Sequence, residues 1–375
     1  MNTRKKHQPL TTWKKTVFAF IGSILGLSII EGFATGTAIC IELWTQWSDR
    51  PKVVNLREES HCQYDEELGW INKPDTTVSD FYGPGQDISI DRNGLRGLQD
   101  FDPDSQHYKI ICLGDSFTLG YGVGDQQTIP YHLQQQLVEG TQVANMGQGG
   151  YSIGQSWLWL KRVGPKLKPN LVVCIFIPED FRRLATNRTA NGYSTPQFEV
   201  IDGRVAINNV PVPPKLDVGT YLPGHVHFLS TLKKHSSLAR GIEGLGSPER
   251  TDNDVDDEVL FCGLLVLKSI SQECQRMNSK LVVVLTPTLS DANDPDFGTR
   301  YKTCSNVMAS FLQREQIPFL DLLPEFENKH VGSVYLDEAF HHYNSSGNQL
   351  VADKLVEWLP EFVPEFRASV EMKIH

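Results

Sequence analysis

Three short stretches of the chain hold the residue types that acyl transfer needs. Ile111-Cys-Leu-Gly-Asp-Ser-Phe-Thr-Leu-Gly120 reads as a buried strand that stops at Gly114-Asp115-Ser116. A serine at the carboxyl end of a strand, beside a glycine-rich turn, projects its hydroxyl into the crevice where open α/β sheets bind ligands. That hydroxyl is a weak nucleophile unless a base and an oxyanion site accompany it. Tyr335-Leu-Asp-Glu-Ala-Phe-His-His-Tyr-Asn-Ser-Ser-Gly-Asn348 supplies imidazole and carboxylate from one loop at the start of a helix, as a general base and its orienting acid require. Asn145-Met-Gly-Gln-Gly-Gly-Tyr-Ser152 follows a second strand, and its consecutive glycines let backbone N–H groups approach a developing oxyanion. Taken singly, each has a plainer reading: a Gly/Ser turn, a tight turn before a helix, and a histidine pair that binds metal. No third ligand at a suitable spacing accompanies His341 and His342, so no metal or other cofactor is expected.

Together the three blocks resemble the SGNH/GDSL hydrolases. Gly114-Asp115-Ser116-Phe117 is similar to their first block, Asn145 to Gly150 to their second, and the segment from Asp337 to Gly347 to their last. Leu68-Gly-Trp70 and Asn93-Gly-Leu-Arg-Gly97 resemble a preamble found in bacterial membrane-anchored members. The likeness spans residues 65–359 and leaves residues 187–257 unmatched. It implies that Ser116 is the nucleophile, that its N–H and that of Gly150 serve the oxyanion hole, and that a histidine of the pair is the base. Two departures stand out. The family's third block carries an asparagine that donates to the oxyanion; here Ile177-Pro-Glu-Asp-Phe181 puts Glu179 in its place, where Arg182 or Arg183 is near enough to neutralise it. The family spacing of acid to histidine selects Glu338 with His341, whereas the following His-x-Asn-x-x-Gly pattern selects His342, with Asn344 and Gly347. The second register is preferred, with Asp337 as the orienting acid.

These residues need a scaffold, and the alternation of elements supplies one. Short aliphatic runs at residues 108–113, 142–146, 171–177, 281–285 and 318–322 read as strands covered on both faces. Helical segments at 128–138, 154–163, 258–277, 304–315 and 349–359 fall between and after them. Such alternation implies an α/β sandwich of three layers with a five-stranded parallel sheet and right-handed crossovers. The resemblance implies flavodoxin-like order 2-1-3-4-5, with the site where strands one, two and three meet. Trp157 and Trp159 are expected to pack against the sheet.

Composition bounds the rest. The 375 residues carry a net charge of −10, with no long basic run beyond the first 15 residues, so the footprint of a nucleic-acid binder is missing. Seven cysteines are scattered without CxxC pairs. Arg4, Lys5, Lys6, Lys14 and Lys15 precede an apolar stretch over residues 17–41, the pattern of a signal-anchor helix with the bulk of the protein facing outward; a cleaved signal peptide and an amphipathic helix are the alternatives. Residues 1–41 are then tail and anchor, 42–106 a linker and small module, and 107–365 the hydrolase domain. Within it, residues 187–257 read as an insertion over one end of the sheet, a lid or a surface excursion. The expected activity is ester hydrolysis of an O-acyl glycan, a lipid or a small ester. Its rivals are an O-acetyltransferase-type or acyl-binding relative weakened by Glu179, and an anchored scaffold.

Overall fold

Strands buried on both faces sort their side chains by parity, and that sorting builds the fold. The computed structural model describes residues 11–23, 26, 36–37, 40, 58–189, 193–214, 257–327, 329–336 and 342–366. Five strands, β1 (Tyr108–Gly114), β2 (Thr141–Gly147), β3 (Leu171–Phe176), β4 (Lys280–Leu285) and β5 (Phe319–Asp321), pair in the order β2-β1-β3-β4-β5. Every pairing is parallel. Ile111, Leu113, Val172, Cys174, Val283 and Leu285 join one core with helices α2 (Ile153–Leu167), α3 (Asp257–Arg276) and α4 (Pro295–Arg314). Ile110, Cys112, Val173, Ile175, Val282 and Val284 join the other, under α1 (Ile129–Gln136) and α5 (Ser345–Trp358). Each such aliphatic side chain contributes about 1.5–3 kcal/mol by leaving water, and the two cores hold the expected three layers together, with the strands in the expected order. Trp159 is fully buried in the first core and Trp157 packs against it.

Helix boundaries follow local caps. Ser152 and Gln155 form a capping box that starts α2. Asp294 accepts from the N–H groups of Asp296 and Phe297 and starts α4 nine residues ahead of the expected 304. Polar residues in that first half hide its helical period.

Two compact units divide the chain. One comprises Met1–Val54 and Asp217–Asp252; of it the structure describes a helical run over residues 12–23 and a few isolated positions. Among the described residues no helix is long and apolar enough to cross a membrane. Most of the expected anchor at 17–41 lies outside them. The other unit, Asn55–Leu216 and Asn253–His375, holds both the small module and the sheet. The module pairs Cys62–Asp65 with Gly69–Asn72 and Thr76–Val78 with Ile88–Ile90, each antiparallel. An antiparallel bridge from Arg96 to Asn145 fastens it to β2, the strand at one edge of the sheet. Of the expected insertion, residues 197–208 form a hairpin, Gln197–Ile201 with Arg204–Asn208. Asp202 and Gly203 turn it, both at positive φ as a type I′ turn demands. Its Phe198 is buried against Gly154 at the start of α2. The lid reading of residues 215–256 concerns a segment outside the described residues. Of the seven cysteines Cys40 is exposed and the others are buried.

Beneath the module His61 is buried, its Nδ1 3.2 Å from Cys62 Sγ and its ring edge-on to Phe81. Burial lowers its pKa to about 4 from the ordinary 6.5, against a raising hydrogen bond to Asn72 and with help from the charges of Arg96 and Lys73. A depressed imidazole lends stability that is complete above its unfolded pKa and is lost as pH falls through that value toward the folded one. Lowering pH from 7.5 to 4.5 is thus expected to cost about 2.5 kcal/mol through this group alone. Urea unfolding at both pH values should show His61→Gln losing that much less than the parent. An equal loss in both proteins would refute the assignment.

Candidate active site

The site is set by two glycines at adjacent strand ends. β1 and β2 are paired at Gly114 and Gly147. A Cβ on Gly114 would lie 2.1 Å from Ile175 O, and one on Gly147 2.1 Å from Leu119 N. Backbone therefore packs directly on backbone, and only glycine fits at either place. Asp115 then caps the short helix Ser116–Leu119, its Oδ1 accepting from the Phe117 N–H at 2.9 Å. Ser116 stands at the first helical position, 6% exposed, with its hydroxyl facing the segment that follows the last strand.

His342 arrives there from the other end of the chain. Its Nε2 lies 2.8 Å from Ser116 Oγ. The imidazole stacks on Phe117 at 4.7 Å between centroids and meets Tyr121 at 4.8 Å. Leu336 N–H donates to His342 O at 2.8 Å, and Tyr343 OH donates to Pro287 O. Asn344 Oδ1 accepts from Gly347 N–H and caps α5, while a Cβ on Gly347 would strike Val334 O. The His-x-Asn-x-x-Gly spacing thus has a structural reason: it starts the helix that presents His342. Asp337, Glu338 and His341 lie outside the described residues.

Under Ser116 sits a cluster of charges. Arg183 Nη1 donates to Asp180 Oδ1 at 2.6 Å, to Asp115 Oδ2 at 3.2 Å and to Tyr151 O at 3.0 Å. The Asp115 and Asp180 side chains are only 1% and 2% exposed. Burial, and then the neighbouring Asp115, push the Asp180 carboxyl well above the usual carboxylate range, although Arg183 pulls the other way. Asp115 Oδ2 also lies 3.3 Å from Ser116 Oγ, so this hydroxyl contacts both His342 and the cluster. Of the two arginines expected near Glu179, one takes that role and the other does not. Arg182, not Arg183, pairs with Glu179, at 2.9 Å, and both side chains are about two-fifths exposed, 43% and 41%. Glu179 is thereby turned to an exposed ion pair, and Arg183 goes to the buried acids. Asp115, Asp180 and Arg183 had a signal in the sequence, an acid beside the serine and an acid and arginine three residues apart. What selects them over Glu179 is burial.

Gly150 lies in the turn after β2 at φ 74°, and its N–H has no acceptor among the described residues. Asn145 is occupied structurally: its Oδ1 accepts from Gly147 N–H and its Nδ2 donates to Leu119 O. No group of three or more His, Cys, Asp or Glu side chains among the described residues is arranged to hold a metal.

A serine and a histidine in hydrogen-bond contact at the carboxyl edge of a doubly wound sheet are the arrangement of the SGNH class of hydrolases. The chain belongs to the GDSL-like lipase/acylhydrolase family, whose model matches residues 112–350. No curated protein matches it. Similar solved structures include a member of the lipolytic protein G-D-S-L family from Veillonella parvula DSM 2008, 13% identical, covering 68% of this chain and 99% of that one with a TM-score of 0.39. An acetyl xylan esterase is 17% identical, with coverage of 66% and 98% and a TM-score of 0.37. The lipase/acylhydrolase from Enterococcus faecalis is 15% identical, with coverage of 68% and 95% and a TM-score of 0.39.

Proposed function

We propose that the chain is a serine ester hydrolase working through an acyl-enzyme on Ser116. The observation that carries the reading is the 2.8 Å contact between Ser116 Oγ and His342 Nε2. His342 takes the hydroxyl proton as Oγ attacks the ester carbonyl, and the resulting oxyanion is held by the N–H groups of Ser116 and Gly150. Collapse of the tetrahedral intermediate breaks the bond to the alcohol, which leaves with the proton from His342. Water, deprotonated by the same imidazole, then releases the acid and frees Ser116. Asp337 is the proposed orienting acid for His342. An O-acyl glycan or lipid fits an anchored protein facing outward, and both the anchor and that location belong to the proposal. Labelling with a fluorophosphonate probe tests the reading: the parent protein takes the label on Ser116, and a protein that stays dark overturns it.

Glu179 favours one variation on this theme, a relative with weakened hydrolysis and an acyltransferase or acyl-binding role. An amide at this position would donate to the oxyanion; a carboxylate paired with Arg182 does not. Loss of one such donor costs about 2.7–4 kcal/mol at the transition state. Glu179→Asn is therefore expected to raise kcat on a chromogenic acetate by about tenfold or more, with KM little changed. Steady-state kinetics of the purified variant check it, and an unchanged or lower kcat would show that position 179 is not the missing donor.

A further inference from the structure

We propose that Trp70 is a positioning residue for the oxyanion donor at Gly150, acting through the peptide unit that joins Gly149 to Gly150. The proposal rests on the ester-hydrolase reading above. Trp70 belongs to the small N-terminal module, 79 residues from Gly149 in the chain, and its Nε1–H donates to Gly149 O at 3.1 Å. That carbonyl and the Gly150 N–H are two ends of one peptide group. The group is trans and planar, so its C=O and N–H point in opposite directions. An indole that fixes the direction of the carbonyl fixes, through the same plane, the direction of the N–H. The constraint matters here because the segment is Gly149-Gly150, whose φ and ψ are the least restricted of any residue pair.

The indole is itself held firmly. It meets Tyr151 at 5.4 Å and Tyr193 at 5.2 Å between ring centroids, and its Cζ2 lies 3.6 Å from where a Gly150 Cβ would stand. Tyr151 OH donates to Trp70 O, while the Tyr151 carbonyl accepts from Arg183. The oxyanion turn is thus pinned from the module on one side and from the buried charge cluster on the other. The second preamble motif does the same for the neighbouring loop. Arg96 donates to the carbonyls of Leu119, Gly120 and Val123 and pairs with Asp125, all in the segment that follows the nucleophile. Both motifs therefore brace loops that border Ser116, and Trp70 is the one whose hydrogen bond reaches a reacting-site donor.

Trp70→Phe keeps an aromatic ring against Tyr151 and Tyr193 and removes the N–H. Genetic incorporation of 3-benzothienylalanine at position 70 keeps the bicyclic shape as well, and serves if the phenylalanine variant does not fold. On a chromogenic acetate, kcat and the rate of fluorophosphonate labelling are both expected to fall about tenfold, since a mis-aimed donor costs less than a deleted one. KM should change less than about twofold and the pH profile should not move, because neither substrate binding nor His342 is touched. A kcat within twofold of the parent overturns the proposal while leaving the hydrolase reading intact. So does a kcat loss that comes with a matching rise in KM and a collapsed melting temperature. A parent protein that neither turns over the ester nor takes the label overturns the hydrolase reading, and this inference with it.

Discussion

Alanine in place of Ser116 is expected to abolish turnover of a chromogenic acetate, with kcat falling roughly 10⁴- to 10⁶-fold. The size follows from the proposed role: without the Ser116 hydroxyl, the two-step route through a covalent acyl group closes entirely. A remainder above the uncatalysed rate, on the order of 10³-fold, is what an intact oxyanion hole supplies by itself. The fold should survive. The substitution removes a small buried hydroxyl with two hydrogen-bond contacts, to His342 and Asp115, and puts a good helix former at the first position of its helical turn. Kinetics, mass spectrometry of the fluorophosphonate adduct and a melting curve on one preparation decide the matter. Unchanged turnover in the variant would remove the basis for the proposed chemistry.

Arg183→Met is expected to strike stability and rate together. The side chain that is lost compensates two carboxylates with almost no access to water. Breaking a buried ionic cluster by removing one partner costs about 3–5 kcal/mol, because the remaining charge cannot be solvated. The pH dependence follows from Asp180. Its carboxyl is already pushed up by burial and by Asp115, and without Arg183 it rises further. An acid whose folded pKa exceeds its unfolded value binds more protons in the folded state, so stability declines as pH climbs above the ordinary carboxylate range. Urea midpoints should therefore separate parent and variant more at pH 8 than at pH 5, and a constant gap would contradict this account. The rate effect has a separate cause. Arg183 draws on the same Asp115 oxygen that contacts Ser116 Oγ, and without it that oxygen competes with His342 for the serine proton. A kcat loss of about tenfold or more is expected, only partly restored by Arg183→Lys, which returns the charge without the planar fork.

The sheet was legible in the sequence because its strands bury both faces and write unbroken aliphatic runs. The 171–177 and 281–285 runs agree with β3 and β4 to within a residue. The turns that carry Ser116 and His342 were legible because helix caps are local: Asp115 accepts from Phe117 N–H and Asn344 from Gly347 N–H. The preference for His342 over His341 followed from the same local logic; His342 Nε2 lies 2.8 Å from Ser116 Oγ, and His341 lies outside the described residues. What could not be read is whatever depends on distance along the chain or on burial. Arg183 has Asp180 and Glu179 both within helical reach, and only the buried position of one decides the pairing. Trp70 and Arg96 sit in polar, glycine-punctuated sequence expected to pack on the main domain as short strands and turns, as it does; the particular partners, Gly149 at 79 residues and Leu119 at 23, are not written locally. The start of α4 was missed because its first turns are polar and its cap, Asp294, precedes a proline.

Ser116 and His342 stand 226 residues apart along the polymer. Bringing such distant ends together costs the disordered chain several kcal/mol of closure entropy, on the order of (3/2)RT ln n plus a constant, and nothing local repays it. Catalytic competence therefore cannot precede docking of the C-terminal helix beside the strand that carries the serine. During refolding, regain of the proposed esterase activity would report completed assembly of the molecule, whereas far-ultraviolet dichroism would register helices that have formed ahead of it.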